Sequence, residues 1–193
     1  MSLSRISIIP GDDLLRRYGN ALGQLGENDG HKALARAVNR TTNTVYSRTV
    51  RAISKQSSIP TKVVRRHMHK LTVRPGGGGA LEGKVFASGR PIPIKEFRPK
   101  QFSYGVKVKL WGKMQRLEGM FIKAGHFRSS QDVANGHVFQ RVTSKSLPIE
   151  LQYGPSVPEE LVRDESAAVF ERTVADMLPK RVAHEIGRLL PDG

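Results

Sequence analysis

With 193 residues, a 38% hydrophobic share and 6% aromatic residues, the chain is long enough for one domain of ordinary size and has material for a modest core. Its 32 Lys and Arg against 17 Asp and Glu give a formal charge of +15, more than solubility requires, so an acidic neighbour is expected, either protein or nucleic acid. The lack of cysteine excludes disulfides, thiolate nucleophiles and cysteine-based zinc or iron sites, and no run of about 20 apolar residues offers a membrane span.

The first residues, MSLSRISIIPGDDLL, hold a short apolar run followed by Asp12 and Asp13, which does not make a secretory signal core. The expected place of synthesis is the cytoplasm. From His31 the segment HKALARAVNRTTNTVYSRTVRAISKQSSI places Leu34, Val38, Thr41, Val45, Thr49, Ala52 and Ile53 at helical spacing, which predicts one buried face. RTTNTV is a poor helix former, so packing must hold this helix together. SSIP breaks it, and TKVVRRHMHKLTV predicts a second short helix with Thr61 as its cap. Residues 31–75 carry eleven basic and no acidic side chains, whereas residues 148–193 carry five basic and nine acidic ones. Such a division suits head-to-tail contact between copies, and equally well neutralisation within one chain.

RPGGGGALEG is a connector. A phosphate loop would need Gly-Lys-Ser/Thr where Ala80, Leu81 and Glu82 stand. Beyond it the period changes. ALEGKVFASG predicts a strand and PIPIKEFRPKQFS an extended edge; YGVKVKLWG alternates Val106, Val108 and Leu110 against Lys107, Lys109 and Trp111. RLEGMFIKAG and GHVFQRVTS supply further short strands, which together make an antiparallel sheet or a partly open barrel. LPIELQYGPSVPEEL then forms a joint. In it Leu147, Pro148 and Ile149 close the sheet, Tyr153 is expected as a packed anchor and Gly154 as an awkward turn. Pro155 and Pro158 restrict the approach to a helix whose first turn suits Glu159 and Glu160. The last helical stretch repeats Phe170, Val174, Leu178, Val182, Ile186 and Leu189, with Pro179 expected to kink it or to begin a second piece. The whole reads as α+β in three regions: helical over 1–75, sheet over 76–155 and helical over 156–193.

The residues that could carry chemistry do not assemble into a set. His67 and His69 are two apart and cannot share a helix face, although in a strand they could. His126, Asp132 and His137 come nearest to a metal constellation but lack a recognised spacing. Ser129 and Ser130 have no partner that sequence can supply, and Ser156 lacks the Gly-x-Ser-x-Gly elbow. Glu185 next to His184 reads as solvated surface. No catalytic residue, metal or cofactor is therefore expected. Arg48, Arg51, Lys55, Lys62, Arg65, Arg66 and Lys70 would form a protein-facing or phosphate-contacting surface if the first two helices lay side by side. Tyr46 is the one aromatic among them, too little for stacking on single strands.

Three segments, ALARAVNRTTNTVYSRTVRAISKQSSIPTKVVRRHM, GRPIPIKEFRPKQFSYGVKV and GHVFQRVTSKSLPIELQYGPSVPEEL, occur in an order that resembles the minor tail protein Z family of long-tailed, lambda-like bacteriophages and prophages. The resemblance implies a noncatalytic, tail-completing component of the virion that acts in head-tail joining at the neck or tail terminus and is assembled in the host cytoplasm. It also implies a homo-oligomeric ring, a hexamer matching a sixfold tube, with the tail terminator or tail tube as neighbours and nonspecific contact with phage DNA. No membrane partner is implied. The alternative is a nonspecific DNA-binding architectural protein that uses residues 31–75.

Overall fold

A single long helix, α1 (Glu27–Ser57), is the wall on which the other elements are laid in the computed structural model, which describes residues 2–10, 16, 18, 19, 27–76, 80–122 and 133–189. The predicted face is buried along its whole length: Leu34, Val38, Thr41, Val45, Thr49 and Ile53 are at most 6% exposed. Burial extends to Ala33, Ala35, Ala37, Thr42 and Val50, so α1 is covered on more than one side. Each buried aliphatic side chain of this size contributes about 1.5–3 kcal/mol, enough to offset the low propensity of the threonine-rich middle. Three of the buried hydroxyls are satisfied locally, whereas that of Thr49 has no hydrogen-bond partner among the described residues. Thr41 donates to the Ala37 carbonyl at 2.9 Å, Thr42 to Val38 at 2.8 Å and Ser57 to Ile53 at 2.6 Å, each one turn back.

α2 (Thr61–His67) follows a sharp break at Ser58, whose φ is 66°. It begins after Pro60 with no side-chain cap; Thr61 is already inside the helix, and its hydroxyl donates to Ser54 Oγ at 3.2 Å. The expected second helix is shorter than its pattern suggests. At Met68 the backbone becomes extended and Met68–Leu71 form strand β2.

Three three-stranded antiparallel sheets make up the rest, none closed into a barrel. In the first, β3 (Gly83–Gly89) lies between β1 (Ser2–Ile8) and β2, with Ile6 opposite Val85 and Met68 opposite Ala87. Its inner face, with Val85, Ala87 and Ile8, belongs to the same core cluster as α1. The second is β4 (Lys100–Phe102), β5 (Gly105–Leu110) and β6 (Lys113–Glu118). As predicted, Val106, Val108 and Leu110 are buried and Lys109 is exposed. Trp111 does not continue the alternation. With Gly112 it makes the two-residue turn from Leu110 to Lys113, at φ 47° and 74°, and positive values at both central positions match the right-handed twist of a hairpin. The third sheet is β7 (Met120–Phe121), β8 (Phe139–Arg141) and β9 (Ile149–Leu151). PIPIKEF, expected to be extended, contains a 3-10 turn over Ile94–Phe97.

α3 (Val157–Leu161) and α4 (Asp164–Gly187) close the molecule. α4 runs antiparallel to α1: Ser166 meets Gln56, Thr173 meets Arg48 and Glu185 meets Arg36. Contrary to the expected second helical piece, α4 continues through Pro179, because Leu178 and Val182 on either side of it are both buried, at 4% and 1%.

Gly83 marks the closest approach of the first sheet to α1. A Cβ there would stand 2.1 Å from Thr42 Oγ1 and 3.2 Å from Val38 Cγ1. Gly83→Ala should therefore push β3 off the helix and destabilise the protein by about 1–3 kcal/mol. Urea unfolding measures this, and an unchanged midpoint would mean that the strand is not held against Thr42.

Candidate functional site

The seven basic residues singled out in the sequence fall into separate groups. At 3.6 residues per turn, Arg48, Arg51 and Lys55 share one flank of α1 and Asn43 and Tyr46 the other. On the first flank Arg48 and Arg51 line a groove of about 470 Å³ between α1 and α4, with Val169, Arg172, Thr173 and Asp176. Arg48 Nη1 reaches Thr173 Oγ1 at 3.5 Å. The Asp176 carboxyl is held below its usual range, chiefly by the hydrogen bond from Lys180 and the lysine charge, with Arg48 adding to it. On the other flank Arg65 and Lys70 lie 5.9 and 5.4 Å from the centre of the Tyr46 ring, Lys70 also bonds Asn43, and the Tyr46 hydroxyl donates to the Met68 carbonyl at 3.4 Å. Tyr46 is thus engaged by two cations of its own chain. Lys55, Lys62 and Arg66 are exposed. The helices do not bring all seven together into one stripe.

The joint is made by backbone rather than by the tyrosine ring. Ile92 donates to Pro155 O at 3.2 Å, Gly154 to Ile92 O at 2.8 Å and Ile94 to Gln152 O at 3.1 Å, while Pro93 and Tyr153 form a bridge. The Tyr153 side chain, expected to be packed, is 51% exposed, and Leu147 is 67% exposed. Gly154 serves close packing instead of a turn, since a Cβ there would meet the Phe97 ring at 3.0 Å and Leu110 Cδ2 at 3.3 Å. Pro148 O accepts from Val142 N at 3.1 Å beside Ile149 in β9, and Pro155 and Pro158 are buried. Ser156 caps α3: its hydroxyl, 3.4 Å away, accepts from the Glu159 amide.

Past that cap lies a residue that sequence reasoning missed. Glu160, expected in the first turn of a helix and found there, is 2% exposed. Its Oε2 accepts from Gln56 Nε2 at 2.6 Å and its Oε1 from Trp111 Nε1 at 3.0 Å, with Arg163 Nη1 at 3.9 Å. Gln56 Oε1 in turn accepts from the Ser166 amide at 3.1 Å and hydroxyl at 3.2 Å. The same turn is held twice more, by Trp111 N to Ser57 O at 3.1 Å and Gly112 N to Ser58 Oγ at 2.9 Å. Glu185, read as solvated, is likewise buried at 3%, and Arg36 Nε stands 3.0 Å from its carboxylate. The one available signal was the lone Trp111, whose indole N–H needs an acceptor when it docks.

The histidines do not converge. His67 Nδ1 lies 3.2 Å from the Ser88 carbonyl, His69 leans on Phe86 with ring centres 5.3 Å apart, and His184 is exposed. His126, Ser129, Ser130 and Asp132 lie outside the described residues. Among the described residues no three His, Asp or Glu are grouped to hold a metal ion, and no helix is long and apolar enough to cross a membrane. His137 Nδ1 is buried with no hydrogen-bond partner among the described residues. Burial, and secondarily Lys95, depress its pKa below the ordinary 6.5.

Two predictions follow from these contacts. Glu160→Ala leaves the Trp111 and Gln56 donors without acceptors and should cost about 2–4 kcal/mol, read by urea unfolding through the fluorescence of the single tryptophan. Glu160→Gln keeps an acceptor for Trp111 and should cost less; equal stability of Ala variant and wild type would remove the network from any structural role. For His137 the folded pKa lies below the unfolded one, so its contribution to stability is complete above the ordinary histidine pKa and is lost as pH falls through the window beneath it. A histidine-resolved NMR titration should place its midpoint below 6.5; a midpoint at or above that value contradicts the burial argument.

No curated protein and no solved structure matches the chain. Residues 20–76, which contain α1, α2 and β2, match the model of the prophage minor tail protein Z (GPZ) family, the family that the sequence resembles.

Proposed function

We propose that the protein completes the phage tail as a noncatalytic subunit, acting at the neck or tail terminus in head-tail joining. The observation that carries this reading is the match over residues 20–76, because it covers the helix on which the rest of the fold is laid. In this reading the protein resides in the virion and is assembled there in the host cytoplasm.

Copies form a ring, a hexamer to suit a sixfold tube, with the tail terminator or tail tube alongside. The division of charge supports this. Arg65, Arg66 and Lys62 project from α2, while Glu159, Asp164, Glu165 and Glu171 are exposed around α3 and α4, so unlike surfaces are available to successive copies. Arg48 and Arg51 stand away from α2 across α1; Arg48 reaches Thr173 there, which leaves Arg51 for nonspecific contact with passing DNA.

Arg65 and Arg66 are exposed, and no carboxylate is paired with either among the described residues. Arg65→Glu combined with Arg66→Glu should leave the melting temperature within a few degrees of wild type, since surface changes are usually within about 0.5 kcal/mol. Incorporation into tails, assayed by complementing a phage that lacks the protein, should fall at least tenfold. Full incorporation and infectivity with this variant would rule out α2 as an assembly surface.

A further inference from the structure

The open face of the β4–β5–β6 sheet carries groups for which the tail reading has no use. Val106, Val108 and Leu110 point into the core, so Lys107 and Lys109 point out. Directly paired residues share a face. Lys100 and Arg116 therefore flank Lys107 on that face, Met114 stands beside Lys109 and Phe102 beside Gly105. The Phe102 and Tyr104 rings are stacked, with centres 5.4 Å apart and planes 6° from parallel, and the Arg116 guanidinium lies 5.3 Å from the Tyr104 ring centre. Phe102 remains 41% exposed and Met114 58%. A groove of about 300 Å³ runs past Phe102, Val108 and Met114 between Lys100, Lys107 and Lys109.

None of Lys100, Lys107, Lys109 and Arg116 is ion-paired among the described residues, and Glu118 is the one acidic residue from Arg98 to Glu118. Lys100, Lys107 and Arg116 form one cross-strand row, an arrangement in which like charges destabilise a sheet. A polyanion laid across the row relieves that repulsion. The stacked rings decide which polyanion fits: a duplex hides the faces of its bases, an acidic polypeptide would leave the rings without a role, and a single strand offers phosphates and free bases together.

We propose that this face binds single-stranded nucleic acid, with phosphates on Lys100, Lys107, Lys109 and Arg116 and a base extending the Phe102–Tyr104 stack. The surface is distinct from the basic helices, where Tyr46 is already covered by Arg65 and Lys70.

The test titrates the full chain, by fluorescence anisotropy, with labelled oligothymidylate and oligouridylate of about 16 nucleotides and with a duplex of the same length. The single strands should bind more tightly than the duplex, and four phosphate contacts should give a slope of log K against log salt of about −3. Phe102→Leu should weaken binding about tenfold or more, whereas Phe102→Tyr, which keeps the ring, should retain it. Lys107→Glu with Lys109→Glu should abolish binding, and both Phe102 variants should melt with the wild type because the ring is at the surface. Equal affinity for the duplex, or undiminished binding by Phe102→Leu, overturns the proposal in favour of a general polycation. Polyglutamate bound as tightly as oligothymidylate overturns it in favour of an acidic polypeptide. The thymidylate and uridylate arms separate DNA from RNA, and preference for either supports the proposal. Tail incorporation of Phe102→Leu is scored separately, so the tail reading stands or falls independently.

Discussion

Glu160 is where four segments of the chain are tied together. Its two oxygens take the Gln56 amide from the end of α1 and the Trp111 indole from the β5–β6 turn, and Gln56 passes the connection on to Ser166 at the start of α4. A carboxylate at 2% exposure is tolerated only when donors fill it, and here both oxygens are filled. The consequence is geometric. The second sheet cannot shift against α1 without breaking the indole contact and the bonds from the Trp111 and Gly112 amides to the Ser57 carbonyl and the Ser58 hydroxyl, and α4 cannot change its register along α1 without releasing Gln56. At the far end of the same helix pair Glu185 and Arg36 set a second point, so the long antiparallel contact is fixed near both ends by polar groups and filled between them by apolar ones.

That arrangement explains how a helix of modest propensity can serve as the central wall. Thr41, Thr42 and Thr49 would each favour other conformations in an isolated peptide. Two of them return their hydroxyls to carbonyls one turn back, and their small, branched side chains let β3 approach closely at Gly83. Larger aliphatic residues at these positions would bury more area but would hold the sheet away. The polar sequence of α1 is therefore matched to the neighbour it receives, and the helix and the first sheet are stable chiefly together.

The α+β class, the buried faces of α1 and α4, and the inward set of β5 were legible because each rests on a local period: helical for Leu34 to Ile53 and Phe170 to Ile186, alternating for Val106 to Leu110. What was not legible depends on partners far away in sequence. SLSRISI becomes strand β1 only because Ser2 to Ile8 find Gly89 to Gly83. Met68 turns from helix to strand because it lies opposite Ala87, which no pattern within VVRRHMHK announces. Glu160 looked like a helix-start acid beside Glu159, and at an α3 first turn it is one, but Trp111 and Gln56 arrive from elsewhere to bury it. The same limit applied to the basic residues. Composition identified them, whereas their division between two flanks of α1 follows from α4 covering one side and β2 approaching the other.

The distribution of charge then takes on a different meaning from the one that the linear count suggests. Counted along the chain, residues 31–75 look like the cationic surface and the sheet region looks ordinary. In three dimensions several cations of the helical region are already engaged: Arg36 by Glu185, Lys70 by Asn43 and Tyr46, Arg48 by Thr173 near Asp176. Lys100, Lys107, Lys109 and Arg116 of β4 to β6 have no ion pair among the described residues, although Arg116 lies against the Tyr104 ring, and cross-strand pairing places Lys100, Lys107 and Arg116 in one row. Unpaired positive charge therefore stands on a sheet face as well as on the helices, where Arg65 and Arg66 are exposed without a paired carboxylate among the described residues. A field of this kind acts on whatever anion can reach it. The underlying sheet is fixed to α1 through Trp111, so the backbone positions from which these charges project are set before any partner arrives.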